Sequence, residues 1–161
     1  MEYRLFDLIQ MAETFATEYH IPPDLLCAII NVESEWNRWA VRYEPAFLKK
    51  YILPLKLKSK TEQVMRACSF GLGQILGQSA IERGFHGDLP KLFCPQVNIE
   101  YVCKYIEMLK RRKDYSWNDV ISAYNQGNKR KNKSGEYKNK RYVAKVNGSR
   151  EEYEKDNPMV C

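Results

Sequence analysis

The stretch Pro23-Asp24-Leu25-Leu26-Cys27-Ala28-Ile29-Ile30-Asn31-Val32-Glu33-Ser34-Glu35-Trp36-Asn37 decides the fold. Proline is tolerated in a first helical turn, where its missing N–H costs nothing, so the spacing predicts a helix from about Pro23 to Glu35. Leu26, Ile29 or Ile30, and Trp36 share one face of it. Glu33 falls three or four positions from the isoleucines on that same apolar side, whereas Glu35 is turned about 200° away and should look at solvent. A carboxyl group beside apolar walls has its charged form disfavoured, which suits it to donate a proton near neutral pH. The pattern alone also accommodates Glu33 at the edge of the stripe, snorkelling or paired with an arginine.

Other helices extend outward from this one. Leu5, Leu8, Ile9, Ala12, Phe15, Ala16 and Tyr19 form one stripe over residues 3–19. Ile99, Val102, Cys103, Ile106 and Leu109 do the same over Val97 to Arg111, with a cationic Lys110-Arg111-Arg112-Lys113 end that suits the helix dipole. Ser116-Trp117-Asn118-Asp119 reads as a capping box opening a short helix through Tyr124. A last helix over about Asn139 to Val146 follows from Tyr142, Val143 and Val146. No convincing run of alternating strand residues is present, so the fold is expected to be mainly α. Residues 41–60 and 127–138 read as irregular or mobile segments.

The chain of 161 residues has the length of one compact domain, spanning 1–161. Its 44% hydrophobic and 12% aromatic content excludes a disordered or collagen-like chain. A formal net charge of +6 favours an anionic partner without naming it. Cys27, Cys68, Cys94, Cys103 and Cys161 are odd in number and lack both C-x-x-C and zinc-finger spacing, so reduced, mostly buried thiols and no structural metal are expected. The longest apolar runs fall far short of the roughly twenty residues a bilayer span needs. Met1-Glu2-Tyr3-Arg4-Leu5 lacks the features of a secretory signal, so synthesis in the cytoplasm is expected.

Two further segments carry possible chemistry. Ser69-Phe70-Gly71-Leu72-Gly73-Gln74-Ile75 is a glycine-punctuated turn leading toward a helix, where a ligand can approach backbone amides closely. It lacks the surroundings of a phosphate loop or a dinucleotide site, and its glycines serve tight packing equally well. Ala123-Tyr124-Asn125-Gln126-Gly127 places Tyr124 on the stripe of Trp117, Val120 and Ile121, the ordinary setting of a core tyrosine. Asn125 and Gly127 also make an ordinary helix end.

Taken in order, Glu33-Ser34-Glu35-Trp36-Asn37, Ser69 to Ile75, Asn98-Ile99-Glu100-Tyr101, Ala123 to Gly127 and Arg141-Tyr142-Val143 resemble the soluble lytic transglycosylase family of lysozyme-like enzymes, over about residues 22–146. The resemblance implies a lysozyme-like α+β superfold and cleavage of peptidoglycan glycan strands, with no cofactor. It implies that Glu33 is the single catalytic acid and base, and that Ser69, Gly71, Leu72 and Gln74 border the sugar groove. Tyr124 and Asn125 would line the site, with Tyr142 near the catalytic carboxylate. Two departures stand out: Arg38 replaces the proline usual after Trp-Asn, and a longer stretch separates the glutamate from the Gly-Leu-x-Gln segment. That stretch, Ala40 to Phe47, looks like one in phage- and prophage-associated members, and it supplies Glu44 as a possible second acid.

A hydrolytic muramidase is the nearest rival; it would hold a water with a second carboxylate, for which Glu44, Glu62 and Asp88 are candidates. A non-catalytic glycan-binding phage component is the other. The basic run Lys129-Arg130-Lys131-Asn132-Lys133, with Lys138, Lys140, Arg141 and Lys145, can follow a phosphate backbone, but no reader motif accompanies it and no nucleic-acid partner is expected. The expected protein is a monomer acting on peptidoglycan after holin release, virion delivery or another export route.

Overall fold

Leu25 to Ile30 are buried without a break, so helix α2 (Pro23–Ser34) is enclosed on every side along its middle rather than on one face. The computed structural model describes residues 3–156; the expectations that fall on Met1, Glu2 and Cys161 lie outside them. The chain divides into two compact units, one made of the residues up to Val32 and from Cys103 onward, the other of Glu33 to Val102.

In the first unit, α1 (Leu5–Glu18) buries Leu8, Ala12 and Ala16. Leu5, expected on the same stripe, is 54% exposed, because the packed part of the helix begins at Leu8. α7 (Trp117–Gln126) opens with the predicted capping box: the Asp119 N–H donates to the Ser116 hydroxyl at 3.2 Å and the Ser116 N–H donates to the Asp119 carboxylate at 3.0 Å. Gly127 closes α7 in the left-handed region, at φ 74°. α8 (Lys140–Asp156) runs well past the expected end at Val146. Its later half is charged and carries no apolar stripe; polar contacts hold it instead. Arg150 pairs with Asp24 at 2.5 Å, the Asn31 amide donates to Ser149 at 3.1 Å, and the Tyr153 hydroxyl donates to Glu13.

The second unit contains a sheet that the sequence pattern did not disclose. β1 (Val41–Tyr43), β2 (Cys68–Phe70) and β3 (Ile75–Leu76) pair antiparallel in that order, with Arg42 opposite Ser69 and Ser69 opposite Leu76. Strands of two or three residues are too short to show alternation, and β2 is buried at all three positions. Residues 41–60 are therefore folded rather than irregular. After β1 come the short helical turn α3 (Pro45–Phe47), a π-helical turn at Leu48–Ile52, a 3₁₀ turn at Leu53–Leu55, and then α4 (Lys60–Arg66). α5 (Gly77–Glu82) follows β3, and a 3₁₀ turn at Leu89–Phe93 precedes α6 (Pro95–Lys110). Ile52, Phe70, Leu72, Leu92 and Ile99 are almost wholly buried in this unit.

The architecture is mostly helical with a small antiparallel sheet, consistent with a lysozyme-like fold. Among the described cysteines all four carry free thiols, three buried and Cys94 half-buried; burial pushes the Cys27 thiol up to about 12. No helix among the described residues is long and apolar enough to cross a membrane.

Candidate active site

Glu33 lies in the last turn of α2 and is half-buried. The helix stops at Ser34, one residue earlier than expected, because Glu35 and Trp36 both take left-handed backbone, at φ 52° and 63°. Such conformations cost a non-glycine residue roughly 1–2 kcal/mol each and gather at functional sites. Glu35 is exposed as expected, although the turn that leaves the helix puts it there and not the helical period. Trp36 for the same reason does not continue the face of the isoleucines.

The Ser34 hydroxyl donates to the Leu72 carbonyl at 2.7 Å, which ties the turn after Glu33 to the segment Gly71–Gln74. That segment is itself held from below. Asn98 is fully buried at the start of α6; its carbonyl accepts from the Gly73 N–H at 2.8 Å, and its NH2 group donates to the carbonyls of Phe70 at 2.8 Å and Leu92 at 2.7 Å. Every side-chain hydrogen-bonding group of this amide is engaged, as a buried amide requires. The Gly71 N–H donates to the Ala40 carbonyl at 2.8 Å, which joins the turn to the approach to β1.

The groove residues expected from the resemblance divide by exposure. Ser69, Gly71 and Leu72 are buried, so their places are set by packing. Gln74 is half-buried with left-handed backbone at φ 49°, and its NH2 group donates to the carbonyls of Ala40 at 3.1 Å and Gly71 at 3.0 Å. Its donors brace the turn. Glu44 is half-buried at the end of β1 and accepts from Arg42 Nε at 2.5 Å. Glu62 accepts from Arg66 at 2.5 Å, and Asp88 is exposed.

All of these residues belong to the second unit; Tyr124, Asn125 and Tyr142 belong to the first. Tyr124 is 8% exposed on α7, its ring centroid 5.2 Å from that of Tyr105 on α6. Asn125 is exposed. Asn139, which the sequence marked only as a helix start, orients it: its NH2 group donates to the Asn125 side-chain oxygen at 3.1 Å and to the Ser122 carbonyl at 3.1 Å, and its oxygen accepts from the Ser122 hydroxyl at 2.8 Å. The Asn139 backbone carbonyl accepts from the Tyr142 N–H at 2.9 Å, so one residue fixes Asn125 and the first turn of α8 that carries Tyr142.

The basic segment after α7 is tied down rather than loose. Lys129 and Lys131 lie 3.2 and 3.8 Å from the buried Asp119 carboxylate, the Tyr137 hydroxyl donates to the same group at 2.9 Å, and Lys131 bridges Tyr137 through the backbone. Two of its cations are thus spent on an internal carboxylate. Among the described residues no group of three or more His, Cys, Asp or Glu side chains could hold a metal ion.

A mostly helical fold with a small three-stranded antiparallel sheet is consistent with a lysozyme-like class of protein. The chain belongs to the transglycosylase SLT domain family, which matches residues 10–147 and so takes in most of α1 as well as the segments that carried the resemblance. This is a family of lytic transglycosylase enzymes, and membership implies activity on peptidoglycan. No curated protein and no solved structure matches the chain significantly.

Proposed function

We propose that the chain, acting as one catalytic domain and as a monomer, cleaves the β-1,4 bond from N-acetylmuramic acid to N-acetylglucosamine and leaves 1,6-anhydromuramyl ends. The observation that carries this reading is the setting of Glu33: a half-buried carboxyl group in the last turn of α2, followed by a turn pinned to Gly71–Gln74. In the proposed reaction the Glu33 carboxyl group acts first as the acid. Glu33 gives its proton to the leaving oxygen of N-acetylglucosamine as the anomeric C–O bond breaks. The neighbouring N-acetyl oxygen bonds to the anomeric carbon, a substrate-assisted departure from the two-carboxylate scheme. Glu33, now a carboxylate, takes the proton of the muramyl 6-hydroxyl, whose oxygen displaces the N-acetyl oxygen. Glu33 ends protonated, and no water is consumed.

Ser69, Gly71, Leu72 and Gln74 shape the wall on the side of Glu33; orientation carries weight because nucleophile and electrophile share one ring. Glu44 and Glu62 already accept from arginines, which supports a mechanism with one carboxylate over hydrolysis with two. The free thiols fit synthesis in a reducing cytoplasm and a bacteriolytic, endolysin-type role reached through a holin, a virion or another export route.

Mass spectrometry of muropeptides released from purified walls tests the reading. Ends lighter by one water are expected from the wild type and none from Glu33→Gln, with the melting temperature nearly unchanged. Reducing ends would assign the muramidase reaction instead, and undiminished clearing by the variant would remove Glu33 from the chemistry.

A further inference from the structure

The segment from Leu48 to Lys58 is not used by the proposed chemistry, and its apolar side chains are divided in an unusual way. Ile52 is fully buried and anchors the segment, yet Tyr51 on one side of it is 50% exposed and Leu53 on the other 47%. Leu55, at the end of the 3₁₀ turn, is also 47% exposed. The turns are preformed: the Leu53 N–H donates to the Leu48 carbonyl, the Lys56 N–H donates to the Leu53 carbonyl at 3.1 Å, and the Gln63 amide donates to the Leu57 carbonyl at 2.6 Å. The exposed leucines are therefore presented by folded backbone, and displaying them to a partner needs no further ordering.

Along the segment itself the charge has one sign. Residues 45–61 contain five lysines, Lys49, Lys50, Lys56, Lys58 and Lys60, and no acidic residue or arginine. All five are exposed, and none forms an ion pair with a described residue. From Leu48 to Lys58 the only polar side chains are lysines and the Tyr51 hydroxyl. A glycan would be met by amide and hydroxyl side chains, and a protein partner by mixed charges and arginine. Lysines with long apolar stems, interleaved with leucine and tyrosine, instead match a surface that is apolar beneath and anionic on top.

We propose that this lysine-flanked apolar protrusion docks the protein on a bilayer that exposes anionic phospholipid headgroups, with Tyr51, Leu53 and Leu55 entering the headgroup boundary and the lysines remaining at its surface. Binding should rise with anionic lipid and fall with salt, since the cationic contribution decays within a Debye length. The protein associates with one leaflet and does not cross it.

Co-sedimentation of the full chain with phosphatidylglycerol–phosphatidylcholine vesicles, against pure phosphatidylcholine vesicles, tests this independently of any wall-cleaving activity. The wild type should partition onto the anionic vesicles at least about tenfold more strongly than onto the neutral ones, and lose most of that partition in high salt. Leu53→Ser/Leu55→Ser and Lys49→Gln/Lys50→Gln/Lys56→Gln should each weaken it about tenfold or more, with the melting temperature and the clearing of purified walls in suspension unchanged. Equal binding to both vesicle types, or wild-type binding by both variants, overturns the proposal. So does a loss of binding to purified walls in the same variants while vesicle binding stays at background, which would put a glycan on the segment.

Discussion

A Cβ added to Gly71 would lie 2.5 Å from the Asn98 side-chain nitrogen and 2.8 Å from the Leu92 carbonyl oxygen, so the glycine and the buried amide exclude any larger pair. Gly71 also stands at φ 67°, where an L side chain costs roughly 1–2 kcal/mol. Gly71→Ala must adopt that strained backbone and push Asn98 off bonds worth about 1 kcal/mol each. The expected loss is about 3 kcal/mol, a fall in melting temperature of about 6–12 °C for a chain of this size. Gly127→Ala is the internal control: its φ of 74° is as unfavourable, but nothing lies within 4 Å of the added carbon. It should lose only about 1 kcal/mol, or 2–4 °C. Equal losses in the two variants would mean that the contact with Asn98 contributes nothing.

Asn98→Leu removes one acceptor and two donors at a position with no access to water, leaving the Gly73 N–H and the carbonyls of Phe70 and Leu92 without this partner. Each buried group left unsatisfied costs about 1–3 kcal/mol, so the variant should lose at least about 3 kcal/mol in urea denaturation. A loss below about 1 kcal/mol would show that the turn keeps its shape without the amide.

How far the sequence reveals such features depends on the length over which each signal repeats. α1 and α6 bury apolar residues at helical spacing over several turns, α2 and α7 are buried continuously through their middles, and the limits of all four fall within two residues of the pattern. The sheet rests on strands of two or three residues, below the length at which alternation is visible, and it becomes evident only through the pairing of Arg42 with Ser69 and Ser69 with Leu76. The later half of α8 is held by Arg150, Ser149 and Tyr153, polar partners that an apolar stripe does not report. In the site, Glu33 is conspicuous because a charge stands where the pattern asks for an apolar residue. Asn98 and Asn139 are not, because nothing in a single asparagine says that its amide will organise a turn far away in sequence.

Ser34→Ala tests whether the bond to Leu72 positions Glu33 or only stabilises the turn. Its loss should cost about 1 kcal/mol, or 2–4 °C in melting temperature. If the bond also sets the approach of the carboxyl group, kcat for muropeptide release should fall about tenfold or more with KM little changed, because small misplacements are expensive in a reaction that depends on orientation. An unchanged kcat beside the expected loss of stability would confine Ser34 to a structural role.

Asp119 makes the acid limit of the first unit predictable. Burial alone would raise its pKa, but the Ser116 N–H, the hydroxyls of Tyr137 and Ser116, and the Lys129 ammonium all favour the carboxylate and together bring it from 3.8 to about 2. A carboxyl group whose folded pKa lies below its unfolded one stabilises the fold above the unfolded value and loses that contribution as pH falls through the folded value. The contribution is roughly 2 kcal/mol, present at pH 5 and above and lost mainly between pH 4 and 2. Asp119→Asn should therefore be less stable than the wild type at pH 7, and the difference should shrink steadily over that window as urea denaturation is repeated at decreasing pH. Parallel stability curves for the two proteins between pH 5 and 2 would show that this carboxylate does not hold the basic segment in place.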